Sequence, residues 1–397
     1  MYFRSFMGKR KLKADRIFDG YRFVEDHVLI ISTDGIIEDL VPSSAAGLDV
    51  EEMEGLLCPG FVNTHCHLEL SHMKGRIPGK TGLVDFVFKV VTERHHAEEE
   101  IMQAIADAEE EMIRNGIVAV GDICNNTLTI PQKAKGQLRY YNFIEASGWS
   151  PAVAQARFQH TSAIYETYVH ELKLSAASIV PHAPYSVSTQ LWQLIRPYFE
   201  NRVVSIHNQE APFEDEFFVE GTGDFVRMYR LMNIDNTHHH PPGTSSLRSY
   251  FEQLRDAAQV LLVHNTFTKQ EDLDTALQQM HRNGKDNTLY FCLCVNANEY
   301  IGAASPPLDL FRQNNCTITL GTDSLASNHQ LSITEEINTI RKNFPGIPLQ
   351  EILGWATING AAALQMQEST GSFEKGKKPG VVLLEEKENK LTAKRVI

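Results

Sequence analysis

The stretch "PGFVNTHCHLELSH" (59–72) places a His-Cys-His triplet at the end of an apolar run. Side chains on a strand alternate between its two faces, so His65 and His67 point to one side and Cys66 to the other. Two imidazoles on one face can bind a single cation through their ring nitrogens. A His-x-His pair alone is a weak signal, because an isolated strand histidine is more often a satisfied core residue. The stretch therefore raises two hypotheses, a structural histidine pair and one half of a metal site.

Further apolar runs resemble the one before His65, and amphipathic segments of helical period separate them. We predict strands over 60–65, 116–123, 139–146, 178–184, 203–210, 260–265, 289–296 and 316–324. Their nearly unbroken apolar character is typical of strands buried on both faces of a parallel sheet. Eight strands alternating with helices over roughly 300 residues predict an α/β fold of the (β/α)8 barrel type. A doubly wound open sheet is the alternative, but the sequence contains no GxGxxG motif or P-loop to support it.

Both ends of the chain have a pattern that differs from the middle. Residues 20–58 alternate short apolar pieces with turns, including Asp34-Gly35 as a hairpin signal, and predict antiparallel strands. The C-terminal stretch "GSFEKGKKPGVVLLEEKENKLTAKRVI" has the same character. We therefore predict a small β-domain made of residues 1–59 and 366–397, with a large domain, residues 60–365, inserted between its two parts.

Composition and charge exclude several classes of partner. The 397-residue chain has a formal net charge of -13 and a pI near 5.7, whereas nucleic-acid and anionic-membrane surfaces need clustered cations. Six cysteines without a framework spacing indicate a reducing compartment. The first residues lack the continuous apolar stretch of a secretory signal, and runs such as "GIVAV" are too short to span a bilayer. We predict a cytoplasmic protein that binds a small molecule, and neither nucleic acid nor a membrane.

The residues at the strand ends point to chemistry, because functional groups of a (β/α)8 barrel collect where its strands end at the carboxyl face. Five of the eight predicted strands end in residues able to bind a metal or move a proton, namely His65 with His67, His182, His207 with Glu210, His264, and Asp323. Asp323 follows an apolar run, and a buried carboxylate needs a partner because an unpaired buried charge is costly. Three histidines, one carboxylate and an open position for water fit a catalytic metal site better than a closed structural one.

Motifs along nearly the whole chain resemble those of one enzyme superfamily. They are, in order, "PGFVNTHCHLE", "VPHAPYSVS", "SIHNQE", "LVHN", "LGTDSLASN" and "ATINGAAALQ" followed by "GSFEKGKKPG". This series is similar to that of the amidohydrolase superfamily, in the aminohydrolase and chlorohydrolase branch that includes guanine, S-adenosylhomocysteine and aminodeoxyfutalosine deaminases. The resemblance implies a distorted (β/α)8 TIM barrel and a small β-sandwich domain formed by both chain termini. Relatives are commonly dimers, so it also leaves a homodimer open.

The resemblance implies a role for each polar strand-end residue. The residues that match the family's metal ligands are His65, His67, His207 and Asp323. Glu210 matches a proton-shuttling glutamate, and His264 matches a histidine that polarises the substrate or its intermediate. His182 and Glu69 are expected to contact substrate, with a structural salt bridge as the alternative for Glu69.

The resemblance further implies a single divalent metal ion. Binuclear relatives bridge two ions with a carboxylated lysine on the fourth strand, and "SIVPHAPYS" offers no lysine. We expect zinc, with iron(II) and manganese(II) as alternatives, because all three accept this ligand set. The role of Asn298, in "CVNANEY", stays open because this segment departs from the family pattern.

These assignments imply hydrolytic deamination of an aminated heterocycle, such as a purine or a purine nucleoside, to the oxo product and ammonia. A divalent metal lowers the pKa of bound water from about 15.7 toward roughly 7, and Glu210 then moves protons to the ring nitrogen and the leaving group. Hydrolytic dechlorination or cyclic-amide hydrolysis at the same metal centre is one alternative. A catalytically silent binding barrel is another. Glu210 and His264 favour deamination, because chloride leaves without needing a proton.

Two stretches after the fifth predicted strand bear on access to this site. Residues 211–243 are rich in aromatic side chains, which predicts either a lid over the substrate or ordinary packing. Within them, "THHHPPG" (237–243) resembles an exposed loop because a histidine run lies beside Pro-Pro-Gly.

Overall fold

The computed structural model describes residues 8–173, 176–285, 288–302 and 304–397. Over these residues the chain forms fifteen strands. They are β1 (Lys9–Phe18), β2 (Phe23–Val24), β3 (His27–Ser32), β4 (Ile37–Pro42), β5 (Glu51–Pro59), β6 (Phe61–Cys66), β7 (Ile117–Cys124), β8 (Arg139–Ala146), β9 (Ala176–Pro181), β10 (Val203–Asn208), β11 (Gln259–His264), β12 (Leu289–Leu293), β13 (Thr317–Leu320), β14 (Val381–Lys387) and β15 (Lys390–Arg395).

The same part of the chain forms fourteen α-helices, several of only one or two turns. They are α1 (Leu83–Glu93), α2 (Glu98–Arg114), α3 (Ile130–Lys133), α4 (Ala154–Glu171), α5 (Thr189–Ile195), α6 (Pro212–Glu220), α7 (Asp224–Leu231), α8 (Ser246–Tyr250), α9 (Gln270–Arg282), α10 (Val295–Ile301), α11 (Leu308–Gln313), α12 (Ile333–Asn343), α13 (Leu349–Gly354) and α14 (Gly360–Ala363). Among the described residues, we find no helix with the length and apolar character needed to cross a membrane.

Helix α2 shows how local sequence produces these elements. Its apolar residues Ile105, Ala108 and Met112 recur at helical spacing and are buried on one face. Three glutamates in its first turn interact favourably with the positive end of the helix dipole. Gly116, just beyond the last turn, has a φ of +83° that suits glycine, so the chain turns there into β7.

The chain divides into two compact units. The first comprises the described residues up to Asn63 together with Glu111–Ala119 and Ser332–Ile397. Strands from both ends of the chain lie here in one seven-stranded sheet of order β15-β14-β5-β1-β3-β4, with β2 paired to β1. The apolar core of this unit contains Leu12, Leu29, Leu57 and Val381, all nearly inaccessible to solvent.

The pairing within this sheet confirms one expectation and corrects another. Strands β3 and β4 form the antiparallel hairpin predicted around Asp34-Gly35. Strand β5 pairs antiparallel with β14 but in parallel with β1, with Leu12 opposite Glu51, so the antiparallel pattern predicted for residues 20–58 does not hold on that side of β5. A parallel pair needs a crossover connection of about a dozen residues or more, and the segment from β2 to β4 supplies it.

The second unit comprises Thr64–Glu110 and Val120–Leu331. Strands β6 to β9 form one four-stranded sheet in sequential order, and β10 to β13 form another. The pairs β8–β9, β10–β11, β11–β12 and β12–β13 are all parallel. All eight strands predicted for the middle of the chain are therefore present, and the architecture is α/β with parallel strands.

Backbone hydrogen bonds bring the carboxyl ends of these strands together. The amide of His207, on β10, donates to the carbonyl of His182, which follows β9, at 2.9 Å. The amide of Asp323, just after β13, donates to the carbonyl of His65, on β6, at 3.1 Å. The strand ends of both four-stranded sheets therefore lie side by side, and four of the sequence-predicted site residues meet there.

Candidate metal centre and active site

Four side chains from distant parts of the sequence point their donor atoms at one another. Nε2 of His67 lies 3.1 Å from Nε2 of His65, 3.4 Å from Nε2 of His207 and 3.4 Å from Oδ1 of Asp323. Nε2 of His65 lies 3.6 Å from the same oxygen of Asp323. A tetrahedral zinc site with bonds of about 2.0–2.1 Å has ligand atoms about 3.3 Å apart. The observed separations are therefore close to those of a tetrahedral ligand set.

The donor set fits a divalent cation on chemical grounds as well. Two imidazole lone pairs about 3 Å apart repel unless a proton or a cation lies between them. Neutral imidazoles and one ionised carboxylate are ligands that zinc, iron and manganese all accept. His264 is also close, because donor atoms of His65, His207 and His264 lie within 4.8 Å of one another. The structure thus brings the predicted ligands together with the predicted polarising histidine.

Neighbouring groups orient two of these ligands. Nδ1 of His207 lies 2.7 Å from the carbonyl oxygen of His182, and only a protonated Nδ1 can donate to it. Nε2 of His207 therefore carries the lone pair that faces the cluster. The hydroxyl of Ser327 donates to Oδ2 of Asp323 at 2.6 Å, so Oδ1 is the oxygen directed at His65 and His67.

Burial sets the charge state of the cluster. It lowers the pKa of His65 and His207 and lowers the pKa of His67 to about 3, so these rings are neutral near pH 7. Burial alone raises the pKa of Asp323, but the histidine side chains beside it, His65 and His67 among them, hold that pKa well below its usual value. The cluster is thus made of neutral imidazoles around one carboxylate, the protonation state that metal binding requires.

Glu210 and His264 lie beside this cluster. Oε1 of Glu210 is 3.8 Å from Nε2 of His264, and burial raises the pKa of Glu210. Nδ1 of His264 donates to Oδ1 of Asn298 at 2.8 Å, which directs Nε2 toward Glu210. Asn298, whose role the sequence left open, is therefore the residue that orients His264. Its own amide donates to the hydroxyl of Thr266 at 3.0 Å, which determines which way the amide points.

Two of the site residues have unusual backbone conformations. His264 has a φ of +72° and Asp323 a φ of +56°, both in the left-handed region that non-glycine residues seldom adopt. Such residues cost of order 1–3 kcal/mol each and cluster at functional sites. No propensity or periodicity in the sequence indicates this strain.

The two predicted substrate contacts both line the same cavity. His182 lies with its ring centroid 4.7 Å from that of His207, and burial lowers its pKa to about 4. Glu69 accepts hydrogen bonds from Arg94 at 3.2 Å and from the amide of Asn125 at 2.9 Å. The salt bridge considered as an alternative for Glu69 is thus present, in a carboxyl group that also faces the cavity. Burial raises the pKa of Glu69 to about 7.

Glu145 is a site residue that the sequence reading missed. It lies near the end of β8, lines the cavity, and burial raises its pKa to about 7. Its Oε1 accepts a hydrogen bond from Nδ2 of Asn125 at 3.1 Å. The available signal was a single acidic residue in the run "RYYNFIEA", one position before the strand ends.

The cavity above the cluster has a volume of about 530 Å³. Its polar part contains His67, His207 and Asp323 of the cluster together with Glu69, Glu145 and Glu210. Its apolar part contains one face of helix α1 and the aromatic side chains of Trp149 and Tyr229. These two rings stack at a centroid distance of 5.4 Å with planes 7° apart. A cavity of this volume is in the range of small-molecule sites.

The segment 211–243 forms part of this wall. Helices α6 and α7 bury Phe217, Phe225 and Tyr229 in the apolar cluster around the cavity. His239 is half-buried and stacks on Phe217 at 4.1 Å, and His238 lies 5.2 Å from Trp149. The prediction of an exposed loop is therefore wrong for these two histidines, because aromatic partners distant in sequence cover their rings.

Comparison with known proteins gives a family for this arrangement. The sequence profile described as "Amidohydrolase family" matches residues 56–397, which is most of the chain. The chain belongs to the amidohydrolase family. An aminodeoxyfutalosine deaminase from Nitratiruptor sp. is 23% identical to this amidohydrolase over 311 residues, covering 76% of this chain and 71% of that protein.

Solved structures share the fold of this amidohydrolase. A Helicobacter pylori aminofutalosine deaminase in complex with methylthio-coformycin superposes with a TM-score of 0.77 at 22% identity, covering 96% of this chain and 93% of that one. A Xanthomonas campestris adenosine deaminase with bound zinc gives a TM-score of 0.69 at 18% identity, covering 94% and 84%. Family membership and deaminase-named relatives make this amidohydrolase a hydrolase that acts on carbon–nitrogen bonds.

Proposed function

We propose that this amidohydrolase is a metal-dependent nucleoside deaminase, which converts an aminated purine to the oxo compound and releases ammonia. The observation that carries the proposal is the approach of donor atoms of His65, His207 and Asp323 to Nε2 of His67 at 3.1–3.4 Å, with Glu210 beside His264. Curated relatives that match the chain are named as deaminases of adenosine and related nucleosides. Metal use and the exact substrate belong to the proposal.

One divalent cation, zinc by preference, is proposed to bind to His65, His67, His207 and Asp323. When bound, such an ion supplies a water molecule acidic enough to react at neutral pH. The zinc in the solved Xanthomonas campestris relative is consistent with this choice. The four donor-atom separations of 3.1–3.6 Å are near the tetrahedral value, which supports one ion at this place.

The remaining steps use groups of the chain itself. Asp323 accepts a proton from the attacking water, and the Ser327 hydroxyl, which donates to its Oδ2, fixes the orientation of the carboxylate. Glu210 is buried and its pKa is raised, so it is suited to carry a proton to the ring nitrogen and then to the departing ammonia. His264, oriented by Asn298, stabilises the charge that develops on the substrate. A buried proton donor favours deamination over dechlorination, since ammonia needs a proton to leave.

The size and lining of the cavity support a nucleoside as substrate. A volume of about 530 Å³ exceeds the space that a single purine base occupies, so room remains for a sugar. The acidic groups near the ligand cluster suit polar parts of a substrate, and the wall of α1, Trp149 and Tyr229 suits a flat or apolar part.

We also propose that β6 to β13 close into a distorted (β/α)8 barrel within residues 60–365. The hydrogen bonds from His207 to His182 and from Asp323 to His65, at opposite joins of the two four-stranded sheets, support closure. We propose that residues 1–59 and 366–397 form the small β-sandwich domain, supported by the sheet that both ends share.

The decisive experiment combines metal analysis with an activity panel. Purified protein loaded with zinc, iron(II) or manganese(II) is incubated with adenosine, 5′-substituted adenosines, guanine, a pterin and a chlorinated triazine. We expect about one bound metal per chain and ammonia release from a purine nucleoside. Failure to bind any of the three metals, or release of chloride without ammonia from any amine, would contradict the proposal.

A further inference from the structure

Glu214 bonds the backbone that carries Glu210. Oε1 of Glu214 accepts a hydrogen bond from the backbone amide of Gln209 at 3.0 Å, and Oε2 accepts one from the amide of Glu210 at 3.2 Å. The Ser246 hydroxyl, on α8, also donates to Oε1, at 2.6 Å. Glu214 is completely buried. Both oxygens of this carboxyl group therefore bond the chain at, or directly before, the proposed proton carrier.

This contact differs from ordinary helix capping. Glu214 is the third residue of α6, and in a capping box the glutamate at that position bonds the backbone amide of the N-cap residue, which is Ala211 here. Glu214 instead bonds the amides one and two residues further back, those of Glu210 and Gln209. Neither amide belongs to α6, so stabilisation of the helix end does not account for these two bonds.

The backbone at Gln209 needs such support. Its φ of +45° lies in the left-handed region that non-glycine residues seldom adopt. Relaxation of this residue would rotate the following peptide and move the Glu210 side chain, whose Oε1 lies 3.8 Å from Nε2 of His264. The carboxyl group of Glu214 opposes that rotation, because it bonds the two amides on either side of the Gln209 Cα atom.

Glu214 can affect the reaction only through this backbone. Its side chain does not line the cavity, and it belongs to none of the possible metal-binding groups among the described residues. We propose that Glu214 is a positioning residue for Glu210, because its carboxyl group fixes the peptide between Gln209 and Glu210 and thereby aims the Glu210 side chain for proton transfer. The inference rests on the proposed deaminase function and adds to it a residue that does not touch the substrate.

Glu214→Gln tests this role with little change in shape. A side-chain amide has one acceptor atom, so its NH2 group faces either the amide of Gln209 or that of Glu210, and one backbone bond is lost. We expect kcat for ammonia release to fall about tenfold. KM should stay within about twofold and the metal content should not change, because the cavity wall and the proposed ligands are intact. A residue that only stabilised the fold would leave kcat per metal-loaded chain unchanged.

A double-mutant cycle determines whether Glu214 works through Glu210. Glu214→Gln should lower kcat about tenfold in the wild type but about twofold or less in Glu210→Gln, which has no carboxyl proton left to position. Glu109→Gln is the matched control, because Glu109 is a buried carboxylate that accepts from Tyr140 and Gln132 and does not line the cavity. It should leave kcat unchanged in both backgrounds.

Two outcomes would overturn the role of Glu214. One is an unchanged kcat in folded, metal-loaded Glu214→Gln, and the other is an equal fall in both backgrounds. If Glu214→Gln does not fold, Ser246→Ala removes one bond to Oε1 and should lower kcat about threefold, and an unchanged kcat there would overturn the role as well. If metal-loaded wild type releases no ammonia from any substrate, the proposed function itself fails, and the inference fails with it.

Discussion

Nδ1 of His264 lies 2.8 Å from Oδ1 of Asn298, and both side chains are buried. Because Asn298 also donates to Thr266, its amide oxygen is held toward the imidazole. A residue 34 positions away in the sequence thus sets which nitrogen of His264 is protonated and where the other one points.

This contact predicts the effect of Asn298→Ala. Removing the acceptor frees the imidazole to rotate and to change tautomer, so kcat should fall roughly tenfold, the equivalent of one lost hydrogen bond of about 1.4 kcal/mol. Asn298→Asp keeps an acceptor at the same position and should retain more activity than Asn298→Ala. Steady-state ammonia release with metal content measured in parallel tests this, and equal kcat in all three proteins would show that the contact does not orient a functional group.

Glu210→Gln should remove proton transfer without removing the metal. The amide cannot carry a proton to the ring nitrogen, so kcat should fall on the order of 10²- to 10⁴-fold. Glu210 is not one of the four proposed ligands, so the metal content should equal that of the wild type. Near-full turnover with metal bound would show that the proton-carrying role is wrongly assigned.

The ligand assignment predicts metal content directly. Asp323→Asn and His67→Ala each remove one donor from a four-donor cluster, so bound zinc should fall well below one equivalent. His72→Gln is the control, because His72 is a buried histidine five residues after His67 whose Nε2 bonds the carbonyl of Arg94. Elemental analysis after dialysis distinguishes the cases. Wild-type zinc content in Asp323→Asn would place the ion elsewhere.

The buried histidines predict acid sensitivity of the metal-free protein. Burial lowers the pKa of His182 to about 4, whereas an unfolded histidine has a pKa of about 6.5. Between these values the unfolded chain binds the proton and the folded protein does not, so the free energy of unfolding decreases as the pH falls. One such group contributes up to about 1.4 kcal/mol per pH unit.

Denaturant unfolding between pH 7 and pH 4.5 tests this for His182. Glu69 and Glu145, whose pKa burial raises to about 7, contribute with the opposite sign, so the comparison must be with a variant that lacks only the histidine. The slope of the unfolding free energy against pH should be smaller in metal-free His182→Gln than in the metal-free wild type. The difference should be up to about 1.4 kcal/mol per pH unit, the value for one proton. Identical slopes would show that His182 is not held neutral.

Lys133 and Asp122 form a fully buried ion pair that holds the chain beside the ligand cluster. Nζ of Lys133 is 2.5 Å from Oδ2 of Asp122, whose Oδ1 accepts from the amide of Leu68, next to His67. Lys133→Met leaves the Asp122 charge buried and should reduce the free energy of unfolding by about 3–5 kcal/mol. Lys135→Met, on the exposed side of the same segment, should change it by about 0.5 kcal/mol or less.

A double variant separates charge burial from packing. Asp122→Asn combined with Lys133→Met removes both charges and should recover part of the lost stability, because a neutral pair leaves no uncompensated ion. Denaturant unfolding at one pH measures all three proteins. A double variant no more stable than Lys133→Met would show that packing of the lysine stem, and not its charge, is what the site needs.

The sequence by itself determined the eight parallel strands and the residue types at their ends. Strands buried on both faces have a continuous apolar pattern, and His65, His207 and Asp323 interrupt or follow that pattern where the strands end. Metal chemistry also restricts the donor types strongly, which is why candidate donors could be named from the sequence as residue types. The parallel pairing of β1 with β5 was not predictable, since a local alternation pattern does not specify which strand lies beside which.

Only the tertiary structure decided which groups orient the site residues, which keep their imidazoles uncharged and which further residues lie beside them. Asn298 and Glu145 are single polar residues with no periodicity of their own, and their roles depend on atoms of His264 and Asn125 that lie within about 3 Å only after folding. Histidine pKa values and the covered rings of His238 and His239 depend on the same long-range packing. Hydrogen bonds and burial act over a few ångströms in space, whereas a sequence pattern reports only neighbours along the chain.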